Sequence, residues 1–181
     1  HIEATLLRSQ AAREVLVIHD STYVELPGTP GRGDMGVTTT NNRRGFLAHV
    51  SLIATEGGPV PLGVVNVSTL TRTGTKWKAR KNRAQVASSD KTRESTRWLR
   101  AMETVEDARE GLFEAIHVTD AEGDFFEFLW TMRTRGARFV VRAAQLNRLA
   151  RTGAECENLR DIIDRLRPNV FRDVELNARR Y

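Results

Sequence analysis

Two aspartates stand where a rigid backbone can put them to chemical use. Asp20 ends the apolar run Val15-Leu16-Val17-Ile18-His19, and Asp120 ends the similar run Ala115-Ile116-His117-Val118-Thr119. Short runs rich in β-branched residues read as buried strands of a sheet covered on both faces. A carboxylate at the end of such a strand leaves the core and can be aimed at a ligand from the sheet's edge. If the two strands are neighbours, about 5 Å separates their backbones. Two aspartates at the same end could then share hard divalent cations, which take oxygen ligands. Without a cation the pair would repel, and one pKa would rise. Two Mg²⁺ ions about 4 Å apart can activate an attacking oxygen and stabilise the leaving one in an in-line phosphoryl displacement. The competing reading of each residue alone is an ordinary turn or helix-cap aspartate.

Glu122 and Asp124 follow closely, at the start of the next helix. Acidic charge is favourable there, which accounts for Asp124, while Glu122 is left between that role and the site. His19 and His117 fall on the opposite face from the aspartates by strand alternation, and they read as core or surface histidines, not ligands.

The elements that must position these residues follow in order. Residues 2–14 read as a helix leading into the first strand. Residues 20–42 hold Pro27, Gly28, Pro30, Gly31, Gly33 and Gly36 and read as a loop, with a short extended piece at 22–26. Phe46 to Thr55 and Pro61 to Leu70 flank Glu56-Gly57-Gly58-Pro59 and read as an antiparallel hairpin. Residues 92–110 form an amphipathic helix with Ser95, Trp98, Leu99, Met102 and Val105 inside and Arg93, Arg97 and Arg100 mostly outside. After Asp120, residues 124–135 read as a helix apolar on most sides and well buried, closed by Gly136. The strand at 137–143 then completes a right-handed parallel crossover. Residues 159–166 read as a short helix stopped by Pro168, and 170–180 as extended. The order gives a mixed sheet with helices, α/β in class.

Composition narrows the function classes. The chain has 181 residues, one cysteine and a formal net charge of +5. Its pI near 10.0 favours an anionic partner, nucleic acid first among them. A lone Cys156 excludes an internal disulfide and a multi-cysteine zinc site, and it suits a reducing cytosol. No run reaches the length of a membrane span. Residues 71–90 gather Arg72, Lys76, Lys78, Arg80, Lys81 and Arg83 around Trp77. That stretch reads either as a solvated loop or as a phosphate-tracking arm with an aromatic to stack on a base.

Several segments agree with one known pattern, in order. They are Val15-Leu16-Val17-Ile18-His19-Asp20-Ser21-Thr22, Gly45-Phe46-Leu47-Ala48-His49-Val50-Ser51-Leu52 and Glu94-Ser95-Thr96-Arg97-Trp98-Leu99. Val118-Thr119-Asp120-Ala121-Glu122-Gly123-Asp124 and Arg138-Phe139-Val140-Val141-Arg142 complete the set. Together they resemble the catalytic core of bacterial insertion-sequence transposases of the DDE, cut-and-paste type, in the branch with a β-domain inserted in a ribonuclease-H-like core. The resemblance implies a ribonuclease-H-like mixed sheet flanked by helices over residues 1–143, with the start of the inserted β-region at 144–181. It implies that Asp20 and Asp120 are the first two members of a catalytic triad and bind Mg²⁺ or Mn²⁺. It implies that Arg142 contacts DNA near the cleavage site; Lys76, Trp77 and Lys78 join it if the basic arm is a DNA contact.

Two departures stand out. Ala121 occupies a position where the family usually has arginine. The third triad member, a glutamate in a Tyr…Arg…Glu…Lys setting, has no match after Arg142, since Glu155, Glu157 and Glu175 lack that setting. The chain is therefore expected to be a fragment of a bacterial, cytoplasmic, nucleoid-associated enzyme, weak or inactive alone. Its parent is expected to act on double-stranded DNA at transposon ends and target, as a homodimer on paired ends, with no membrane partner. The parent chemistry would be hydrolysis at the ends, hairpin formation, its reopening and strand transfer. The alternatives are a non-catalytic DNA-binding module of the same fold, and an α/β domain whose aspartates are caps.

Overall fold

A computed structural model describes residues 1–26, 35–38, 43–58, 60–72 and 94–167. The chain divides into two compact units, His1–Ala143 and Ala144–Tyr181.

In the first unit, α1 (Ile2–Gln10) leads to β1 (Glu14–Glu25), β2 (Gly36–Val37), β3 (Arg44–Thr55) and β4 (Pro61–Leu70). Helix α2 (Thr96–Arg109), β5 (Glu114–Thr119), α3 (Phe126–Thr134) and β6 (Arg138–Val141) complete it. The sheet runs β4–β3–β1–β5–β6, and β2 extends the β3 edge beside β4. β3 lies antiparallel to both β1 and β4, while β1, β5 and β6 are parallel. This is the ribonuclease-H-like mixed sheet, α/β in class. The α3 connection supplies the crossover that joins parallel β5 and β6.

Alternation along the strands divides the sheet into two unequal faces. Val15, Val17, His19, Ser51, Ile53, Ala115 and His117 are fully or almost fully buried on one face. Leu6 of α1 and Val105 of α2 pack on that core, and Trp98 and Met102 of α2 meet Phe128 and Met132 of α3 beside it. The residues between them, Leu16, Ile18, Ile116 and Val118, are only half-buried. Both strands were expected to be covered equally on the two faces; instead they read buried, half-buried, buried.

Three further expectations change. α1 ends at Gln10, four residues short of the expected Glu14. β1 does not stop at Asp20 but continues to Glu25, paired with β3 throughout. What stops at this level is its pairing with β5, whose last partners are His19 and Thr119. α3 is not buried on most sides: Phe126 and Trp130, one turn apart, are 65% and 56% exposed and stack on each other with ring centroids 6.1 Å apart. Gly136 ends this helix as expected, at a φ of 68° that favours glycine.

The second unit holds an antiparallel hairpin, β7 (Leu149–Thr152) with β8 (Glu155–Asn158), and α4 (Leu159–Arg165). Gly153 turns the hairpin at φ 66°. Residues 168–181, with Glu175, lie outside the described residues.

Candidate active site

The register of β1 and β5 places the two aspartates. His19 pairs with Thr119, so Asp20 and Asp120 are the next residue on each of two adjacent parallel strands. Asp120 keeps extended backbone one residue past β5 (φ −78°, ψ −168°). Since His19 and Thr119 point into the helix-covered core, alternation sends both aspartates to the other face, at the same rim. Asp20 is exposed and Asp120 half-buried.

Each carboxylate is oriented by the backbone just beyond it. The Ser21 N–H donates to Asp20 Oδ1 at 2.7 Å, and the Glu122 N–H donates to Asp120 Oδ1 at 2.9 Å. The second of these caps a turn of 3₁₀ helix, Ala121–Gly123. A capping aspartate was the competing reading for Asp120, and the cap bond is present. It uses one carboxylate oxygen, and the other remains able to accept. No described cation pairs with either aspartate, whereas Glu25, Glu94, Glu106, Glu122 and Glu14 each meet an arginine.

Two adjacent carboxylates with open oxygens and no protein cation form a hard, anionic donor set that suits Mg²⁺ or Mn²⁺. Among the described residues no group of three or more His, Cys, Asp or Glu is close enough to hold a metal by itself. The two aspartates offer the oxygen donors that such an ion takes.

Arg142 lies at the same end, immediately after β6. Its N–H donates to the Thr119 carbonyl at 3.2 Å, and its exposed side chain forms no ion pair among the described residues. Lys76, Trp77 and Lys78 fall outside the described residues. The stretch that holds them is bounded by Arg72 and Glu94, which pair at 2.5 Å, and Arg72 also donates to the Tyr23 hydroxyl at 2.8 Å.

Arg97, expected mostly outside α2, is turned inward, with only 12% of its side chain exposed. It donates from Nε to Ser21 Oγ at 2.9 Å, from Nη1 to the Glu94 carbonyl at 2.6 Å and from Nη2 to Glu122 Oε2 at 2.5 Å. Helical spacing contained this signal: Arg97, Ala101 and Val105 form an i, i+4, i+8 stripe, and the last two are buried. Glu122 is thereby held by an arginine.

The buried face beneath the rim is unusually polar. Glu106 of α2 can only accept, so His117 Nε2 donates to it at 2.9 Å. His117 Nδ1 meets His19 Nε2 at 2.8 Å, and His19 Nδ1 meets Ser51 Oγ at 2.9 Å. Burial, reinforced by His117 and His49, pushes the His19 pKa well below its usual value. Burial and then the Arg97 charge lower His49 to about 4. Burial works to raise Glu106, but hydrogen bonds from His117 and Arg109 outweigh it and bring the carboxyl to about 2. Both strand histidines are thus core residues, as alternation required.

Ser21 joins the two layers. Its hydroxyl oxygen accepts from Arg97 Nε and lies 2.8 Å from His49 Nδ1. His49 Nε2 is buried and has no hydrogen-bond partner among the described residues.

Neither a family model nor a curated protein matches the sequence. Among solved structures, the Mos1 strand transfer complex is similar, at 15% identity and a TM-score of 0.37. The match covers 79% of this chain and 39% of that one, so this chain spans about two-fifths of its length. A likeness this distant decides neither chemistry nor partner. The fold rests on the strand pairing described above.

Proposed function

We propose that this chain carries part of the catalytic core of a DNA transposase, with Asp20 and Asp120 as metal-binding carboxylates for phosphoryl transfer at transposon ends. One observation carries the reading. Two aspartates follow the last paired residues of adjacent parallel strands, and among the described residues neither meets a cation. Like charges that close are unfavourable without a counter-ion. The ordered motifs from Val15 to Arg142 and the pI near 10.0 support DNA as the partner.

In this reading Asp20 and Asp120 hold Mg²⁺ or Mn²⁺, which supplies Lewis-acid stabilisation and activation of an attacking oxygen when bound. The backbone N–H groups of Ser21 and Glu122 hold one oxygen of each carboxylate, which leaves the second to meet the ion. Arg142, exposed and without an ion pair among the described residues, would meet a phosphate of the DNA strand. The family pattern adds a glutamate as third ligand. The two aspartates by themselves would hold the ion more weakly than three carboxylates.

Thermal unfolding in rising MnCl₂ tests this. Metal that binds the native state raises Tm, and Asp20→Asn abolishes the rise. DNA binding measured alongside should weaken steeply with salt and fall when Arg142 becomes alanine. A Tm rise that survives Asp20→Asn would refute the metal site. DNA binding untouched by metal and by both substitutions would favour a non-catalytic binding module.

A further inference from the structure

Two residues at the rim each serve twice. Ser21 and Glu122 orient the aspartates through their backbone N–H groups, and the same two residues present their side chains to Arg97. We propose that Arg97 is a positioning residue for the Asp20–Asp120 pair, setting the gap between the carboxylates through Ser21 and Glu122. This rests on the metal-site reading above.

The strand ladder does not set that gap. Pairing of β1 with β5 ends at His19 and Thr119, one residue before the aspartates. From there β1 continues with β3, while the chain after Asp120 turns into 3₁₀ helix. The two segments part at the point where their spacing matters most. Arg97 reaches that point from the first turn of α2 and joins them.

Guanidinium geometry makes the joint stiff. The Nε and Nη2 hydrogens leave one edge of a planar group side by side, so their acceptors are held next to each other. Here those acceptors are Ser21 Oγ and Glu122 Oε2. Nη1 holds the Glu94 carbonyl, which ties the group to the turn just before its own helix. A second hydrogen bond, between the Ser21 hydroxyl and His49 Nδ1, holds that side chain from the other side. Each grip lies within a single residue of the N–H that orients a carboxylate. Support of this kind behind the direct ligands commonly changes metal affinity by about ten- to a hundredfold.

The test uses the whole chain, with Mn²⁺ as the probe, read by electron paramagnetic resonance, and amide hydrogen exchange on the metal-free protein. Arg97→Met is expected to raise the Mn²⁺ Kd by about tenfold or more. It is expected to speed exchange at the Ser21 and Glu122 amides by about tenfold and leave Val17, inside β1, unchanged. Arg97→Lys restores the charge but not the fork, and should recover little of either effect. Ser21→Ala removes one grip and no charge, and should weaken binding by about threefold, one hydrogen bond's worth; it decides the matter if Arg97→Met does not fold. If Asp20→Asn abolishes binding while Arg97→Met and Ser21→Ala stay within about twofold of the parent, below the support effect expected, the positioning role is wrong and the metal site stands. If Asp20→Asn changes nothing, or the parent binds no Mn²⁺, the site reading fails and this inference fails with it.

Discussion

Strands β1 and β5 carry a carboxylate pair at each end, and the two ends are treated differently. At the start of their pairing Glu14 lies directly opposite Glu114. There Arg138, one strand over, forms an ion pair with Glu14. At the finish Asp20 and Asp120 follow the last paired residues, and among the described residues no arginine or lysine answers them. Arg97, which reaches this rim, is used on Glu122. The fold can place a cation beside an acidic pair on these very strands. It does so at one end and withholds it at the other, which is the arrangement expected where a cation comes from solution.

The largest effect expected from breaking the contrast lies between the two ends. Glu106 is a neutralised carboxylate that accepts from both Arg109 and His117. Glu106→Ala should cost about 2–4 kcal/mol in urea unfolding, because it leaves a partly buried arginine and a buried histidine without their acceptor. Asp20→Ala should cost the metal-free protein nothing measurable. A comparable loss from both would erase the distinction between answered and unanswered carboxylates.

A pH series sharpens the same point. His19 and His49 have folded pKa values below the unfolded value of about 6.5. The native state therefore refuses protons that the unfolded chain accepts, and stability falls as pH drops from about 7 toward 4. Glu106, lowered to about 2, adds a further loss below the unfolded carboxyl range. The urea midpoint should fall steadily from pH 7.5 to pH 5. A flat profile there would mean that the histidines are not held neutral.

Smaller effects belong to the ends themselves. Arg138→Ala removes an exposed ion pair and should cost at most about 1 kcal/mol. Asp20→Asn, which relieves repulsion, should raise metal-free stability by a few tenths of a kcal/mol, roughly the scale of an unfavourable cross-strand charge pair. A drop with Asp20→Asn would imply a structural partner for that carboxylate.

Much of the sheet was legible in the sequence because period-two alternation and β-branched runs mark strands directly. The hairpin at Glu56-Gly57-Gly58-Pro59 and the α3 crossover were legible for similar reasons: glycine and proline punctuate turns, and the positive φ that closes α3 suits Gly136. The rim position of Asp20 and Asp120 could be read from where each apolar run stops. An extended piece at 22–26 was also legible, but not that it continues β1 without a break, since that comes from pairing with β3. Arg97 was misjudged because charge suggests solvent, whereas its partners Ser21 and Glu122 are distant in sequence and meet it only in the fold. Phe126 and Trp130 were misjudged in the opposite direction: aromatic content suggests burial, yet each sits on the outer side of α3.

The most direct test of the unanswered pair is paramagnetic broadening by Mn²⁺ in the amide spectrum. The account predicts that sub-stoichiometric Mn²⁺ broadens Ser21, Ala121 and Glu122 first, leaves Glu14 and Ala115 at the other end sharp, and loses its effect in Asp120→Asn. Broadening centred on Glu14 and Glu114, or unchanged by Asp120→Asn, would contradict it.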